Sequence, residues 1–193
     1  MSSENPTTRS RILDQTWALL ERGDAAAVRM SDIAKAVGIS RQALYLHFPT
    51  RAELLIATTR HIDEAKGVDA RLAASRRSGT GRERLDAYVR AWCGYIPEIH
   101  GVGSALMALQ TGDEAAATAW ADRMRAMREG CAAAVAALAR DGDMRTGLTE
   151  TTATDLLWSL LSVRLWEHLV IDCGWRQDAY LAECLRLTRT ALV

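Results

Sequence analysis

The sequence predicts an all-α fold: an N-terminal three-helix unit followed by a larger helical domain. Three observations lead there. Alanine and leucine are abundant while phenylalanine occurs once in 193 residues, a balance that favours helices over strands. Prolines stand only at Pro6, Pro49 and Pro97, so long stretches carry no helix breaker. Apolar residues recur at helical spacing along almost the whole chain.

Residues 1–8 are polar and read as a short arm. From Arg9 to Glu21 the apolar positions Ile12, Leu13, Thr16, Trp17 and Leu20 keep helical spacing, and Gly23 gives the stop signal. A second, short helix fits Met30 to Val37. Its inward set is Ile33, Ala34 and Val37, Ser31 and Asp32 stand in its first turn, and Gly38 ends it. Ser40 is a good N-cap for a third helix reaching about His47, with Ala43, Leu44 and Phe48 inward. Thr50 and Glu53 have capping-box spacing and open a longer helix to about Ser75.

After "RRSGTG" the pattern predicts helices at roughly 81–96, 98–110, 113–140, 149–172 and 176–192, about nine in all. Breaks are expected at Pro97, "TGD", "DGDMRTG" and Cys173-Gly174. The run "CAAAVAALA" has side chains small enough for a helix that neighbours approach closely. The organisation expected is a three-helix unit over 1–50 and a larger helical domain over 51–193.

Charge and cysteines bound the function. The formal net charge is zero, with 24 basic and 24 acidic residues. The first 60 residues hold eight Lys/Arg against six Asp/Glu, an excess too small to carry a nucleic-acid argument alone. Cys93, Cys131, Cys173 and Cys184 lie far apart with no CxxC pair and no histidine cluster beside them. Reduced cysteines in a cytoplasm follow, with no metal site and no cofactor. The run "TDLLWSLLSVRLWEHLVI" carries Arg164, Glu167 and His168. It reads as a buried or interface helix and not as a membrane span.

Two short helices across one glycine form a helix-turn-helix, the second helix presented to a major groove. Ala34, Gly38, Ile39 and Leu44 are small or apolar where the helices meet, while Arg41, Gln42, Tyr45 and Leu46 project away. Arg and Gln pair with guanine and adenine edges; Ser40, Tyr45 and His47 suit phosphates. Leu46 fits either a thymine methyl or the neighbouring helix. The same glycine-broken pair also occurs in helical proteins that never meet DNA, so spacing alone leaves a ligand-binding or protein-interaction module open.

Residues 28–55, "VRMSDIAKAVGISRQALYLHFPTRAELL", resemble the DNA-binding signature of the tetracycline-repressor (TetR) family of bacterial transcriptional regulators. The resemblance rests on Ile33-Ala34, Gly38-Ile39-Ser40, Leu44-Tyr45, His47-Phe48 and the basic residue before Glu53-Leu54. Three positions depart from it. Arg51 stands where lysine is commonest, Leu46 takes a variable slot, and Arg29 replaces a frequent Ser or Thr cap. The resemblance implies Arg51 as a phosphate contact, and further helices that hold a ligand pocket and a dimer interface. It implies a homodimeric regulator, a repressor released from a near-palindromic double-stranded operator by a small molecule.

The C-terminal half adds its own signals. Apolar side chains cover more than one face of 149–172 and of 176–192, more than one side of a small domain buries. Trp158, Leu161, Leu165, Leu169, Tyr180, Leu181 and Leu185 are the expected contacts of a four-helix homodimer interface, the alternative being that these helices are buried within the monomer. Such a dimer also sets two recognition helices at half-sites about 34–36 Å apart. Trp92, Tyr95, Met107, Trp120, Met124 and Met127 are the candidate lining of a pocket for an apolar or aromatic effector, or else packed core. His61, His100 and Cys93 are candidate polar contacts. No grouping of nucleophile, base and acid, no phosphate loop and no HExxH appears, so no enzyme activity is expected.

Overall fold

The computed structural model describes residues 7–23 and 28–193; the expected N-terminal arm lies, up to residue 6, outside them. The described residues form ten α-helices and one π-helical turn, with no strand. They are α1 Thr8–Glu21, α2 Met30–Val37, α3 Arg41–His47, α4 Arg51–Ala65, α5 Val68–Arg77, α6 Gly81–Leu109, α7 Glu114–Asp141, α8 Glu150–Leu160, α9 Val163–Trp166 and α10 Gln177–Leu192. The π-turn, Glu167–Asp172, continues α9. No described helix is long and apolar enough to cross a membrane.

By packing, the chain forms two compact units, Met1–Lys66 with Ile99–Arg123, and Gly67–Glu98 with Met124–Val193. The boundary expected at residue 50 is therefore not the packing boundary. The reason is burial: Leu54, Leu55 and Ile62 of α4 join Ile12, Leu20, Ile33 and Leu44 in one core. Val102, Leu106, Ala116 and Ala119 complete that core from the later segment. Each large aliphatic side chain so buried contributes about 1.5–3 kcal/mol.

In the first unit α4 is fastened to the start of α7 by charge. Arg123 donates to Asp63 at 2.5 Å and to Asp122 at 2.6 Å, and Arg60 reaches Asp122 at 3.2 Å. On its other side α4 meets α1, where His61 Nε2 pairs with Asp14 at 2.7 Å. His61 is thus a structural partner. The helix expected to run from 50 to 75 is two helices, because Gly67 takes a left-handed φ of 67° after Lys66.

The second unit shows how predicted breaks are moved or repaired. Pro97 was expected to end a helix, yet α6 runs through it. Proline has no N–H for the carbonyl four residues earlier, and that carbonyl, of Cys93, accepts from Gln177 Nε2 at 2.8 Å. Gln177 Oε1 in turn accepts from Trp166 Nε1 at 2.8 Å. The stretch 149–172, expected as one helix, breaks at Leu161–Ser162. There Ser162 caps α9 through Leu165 N, and the Leu161 carbonyl accepts from Trp92 Nε1 at 2.7 Å.

The alanine-rich part of α7 does permit close approach. A Cβ on Gly81 would stand 2.6 Å from the backbone of Ala137 and Leu138. All four cysteines are unbridged, and only Cys173 is exposed. Burial pushes the Cys131 thiol up to about 12. A hydrogen bond with Cys184 and then burial push Cys93 higher still. Cys93 and Cys131 are therefore neutral packing groups at ordinary pH.

Candidate nucleic-acid interface

The α2–α3 pair is built by one left-handed residue and one cap. Gly38 has φ 75° and ψ 35°, and the Ile39 amide returns to the Ala34 carbonyl at 3.0 Å. Ser40 then accepts from Ala43 N at 3.0 Å and starts α3 in a new direction, a contribution of about 1 kcal/mol. Arg29 precedes α2 without a side-chain cap.

Two α1 arginines that sequence reading passed over hold the far ends of these helices. Arg11 donates to the Val37 carbonyl at 2.7 Å, and Arg9 donates to the His47 carbonyl at 3.1 Å while its guanidinium lies 4.2 Å from the Phe48 ring centroid. Cations at helix C-termini complement the backbone dipole. The signal was present in the RSR spacing of residues 9–11, but only the fold shows which carbonyls it serves.

On α3, Leu44 is fully buried while Ser40, Arg41, Gln42, Tyr45 and Leu46 are exposed, Leu46 at 83%. His47 is half-buried. Arg41 lies over the Tyr45 ring at 5.5 Å and donates to its hydroxyl at 3.3 Å. The helix thus presents one guanidinium, one amide, one phenol and one bare leucine on a single face. That set offers donors and acceptors to base edges and an apolar contact to a methyl group.

Arg51, expected as a phosphate contact, is tied within the protein. Its Nε donates to the Val28 carbonyl at 2.7 Å, and its Nη1 is paired with Asp113. Its side chain is only 20% exposed. Beside it a cleft of about 640 Å³ opens among Arg29, Ser31, Arg41, Tyr45, Arg51 and Asp113.

The six expected effector contacts do not share one unit. Met107 and Trp120 belong to the first, and Trp120 packs against its core. Trp92, Tyr95, Met124 and Met127 belong to the second. There Tyr95 and Met127 are buried, Trp92 meets Tyr95 edge to face, and the indole N–H of Trp92 is spent on Leu161. Of the expected dimer contacts, Trp158, Leu165, Leu169 and Leu181 are half-buried and Leu185 is buried. Leu161 and Tyr180 are corrections. Both are 0% exposed, covered within their own chain, and have no surface to offer a partner. Exposed apolar area lies instead at Leu156, Ile171 and Trp175. The last two flank the Cys173-Gly174 break, which drew attention as a boundary and not as a surface.

Comparison with known proteins fits this geometry. Residues 12–58 match the family model described as bacterial regulatory proteins, tetR family. The HTH-type transcriptional regulator BetI of Rhizobium meliloti is 33% identical over 85 residues, 44% of this chain and 41% of its own length. The HTH-type transcriptional repressor KstR of Mycolicibacterium smegmatis is 33% identical over 82 residues, 42% of this chain and 39% of its own. The chain thus matches less than half the length of these curated relatives. Solved structures share the fold over nearly the full length. The regulator FadR of Bacillus subtilis, in complex with stearoyl-CoA, aligns at TM-score 0.74 and 14% identity over 95% of this chain and 99% of its own. A Saccharomonospora viridis protein in complex with choline aligns at TM-score 0.73 and 21% identity over 96% and 97%. Residues 12–58, the helices that build the α3 face, thus carry the match to bacterial regulatory proteins of the tetR family, and the described chain shares the fold of the solved structures.

Proposed function

We propose that the protein is a homodimeric transcriptional repressor that leaves a near-palindromic operator when a small molecule binds. The exposed face of α3 carries the DNA-binding part of this reading. Arg41, Gln42, Tyr45 and Leu46 face solvent on a two-turn helix whose inner side is sealed by Leu44. Arg41 and Gln42 read base edges, Leu46 meets a thymine methyl, and Ser40, Tyr45 and His47 hold phosphates. Arg41 must leave the Tyr45 ring to reach a guanine.

The dimer is supported by the exposed Leu156, Ile171 and Trp175 beside the half-buried Trp158, Leu165, Leu169 and Leu181. Effector binding is supported by relatives of this fold solved with choline and with stearoyl-CoA. In this chain an apolar or aromatic effector is expected against the second unit, where Trp92 and Met124 stay half-buried. Binding that favours the non-operator state need supply a coupling of only about 1–3 kcal/mol. The four free cysteines suit work in a reducing cytoplasm.

The test is binding to the DNA upstream of the protein's own gene, over a series of salt concentrations. Retention that weakens with salt and disappears in Arg41→Ala with Gln42→Ala supports the reading. Wild-type protein that prefers this DNA to random duplex at no salt concentration overturns it.

A further inference from the structure

Arg51 stands where the resembling family most often has a lysine, and here it uses what lysine lacks. A guanidinium has several donors in a fixed fork, whereas an ammonium is a point charge. One edge of the Arg51 fork holds the Val28 carbonyl, two residues before α2, and another holds Asp113. Asp113 spends its other oxygen on the amide of Ala116 at 3.2 Å, inside the first turn of α7. Partial burial pushes the Asp113 carboxyl up. The Arg51 guanidinium and the amides of Ala116 and Ala115 outweigh that and hold it below the usual carboxylate range, so the pair is ionised at neutral pH. Val28 is buried and Arg29 gives α2 no side-chain cap. The start of α2 is thus fixed by a residue from another helix.

We propose that Arg51 and Asp113 form a strut that positions the α2–α3 pair for operator binding, Arg51 acting as an internal tie and not as a phosphate contact. This rests on the DNA-binding reading above. It carries a sign that plain electrostatics reverses. Asp113 borders the cleft that also holds Arg41 and Tyr45. If Asp113 were only a negative charge near DNA, its neutralisation would strengthen binding. As half of a strut, its neutralisation weakens binding.

The experiment uses full-length protein and a duplex enriched by the wild type from a random-sequence pool. Asp113→Asn keeps an N-cap acceptor for α7 while weakening the tie. Arg51→Lys keeps the charge and removes the fork. The strut predicts that each variant loses about tenfold in affinity for the enriched duplex with the salt dependence unchanged. It also predicts faster amide exchange at Ile33 and Ala34 of α2, while amides of α10 keep their wild-type rates. General destabilisation would instead speed both helices. A phosphate contact predicts near-wild-type binding by Arg51→Lys, equal or tighter binding by Asp113→Asn, and a shallower salt dependence in Arg51→Gln; that pattern overturns the strut. If the wild type enriches no duplex, the DNA-binding reading fails. The exchange rates then decide the strut alone, and unchanged α2 rates in both variants overturn it.

Discussion

At the scale of single residues, Gln177 shows how one side chain can cancel a helix breaker. It donates to the carbonyl that Pro97 leaves without its usual partner, and accepts from Trp166. Replacing it by alanine leaves the partly buried Cys93 carbonyl without this donor and removes the acceptor it offers Trp166. Gln177→Ala should therefore cost about 1–3 kcal/mol, read as a lower urea midpoint with an unchanged slope. Pro97→Ala in the same background restores an amide for Cys93 and should recover part of that loss. Arg41 has the opposite character. It is exposed and, among the described residues, held by Tyr45, so it can be redirected at small cost.

At the scale of elements, the turn between α2 and α3 depends on Gly38. A Cβ there meets nothing within 4 Å among the described residues, so its φ of 75° is what opposes a side chain. Gly38→Ala should cost about 1–2 kcal/mol from the left-handed backbone alone, measured by thermal or urea unfolding. It should also lower operator affinity, because α3 takes its direction from this residue. The elements of the N-terminal unit were legible in sequence because their signals are local. Gly38 and the caps at Ser40 and Thr50 act within four residues, and the structure places α2 over Met30–Val37 as the spacing predicts. Elements set by distant partners were not legible. The repair of α6 at Pro97 comes from Gln177, and the carbonyl freed between α8 and α9 is met by Trp92. The internal tie of Arg51 was hidden for the same reason, since its partner Asp113 lies 62 residues away. Leu161 and Tyr180 are apolar at helical spacing like their neighbours, and only the fold decides which way that apolar face turns.

At the scale of the whole molecule, the packing units are not sequence segments. The first takes Ile99–Arg123 from the middle of the chain. Residues 1–66 alone would lack the Val102, Leu106, Ala116 and Ala119 part of their core, so that fragment is a poor stand-in for the DNA-binding unit. The proposed homodimer makes a prediction at this scale. Ile171 is 58% exposed among large apolar side chains and takes no part in the buried core. Ile171→Glu should leave the unfolding of the protomer nearly unchanged, within about 0.5 kcal/mol. It should shift sedimentation from dimer to monomer and weaken operator retention with it. A variant that sediments like the wild type would place the interface elsewhere.

The mended helix at Pro97 also bears on the order in which the chain is made. A ribosome releases the middle of α6 well before Gln177, which stands 84 residues after the Cys93 carbonyl it serves. Until the last helix emerges, the nascent α6 carries a gap that only water fills, and residues on either side of Pro97 can fray as two shorter pieces. The final helix is therefore the step that closes an element begun much earlier. A chain cut short before Gln177 loses more than its last turns: it loses the part that lets α6 be one helix.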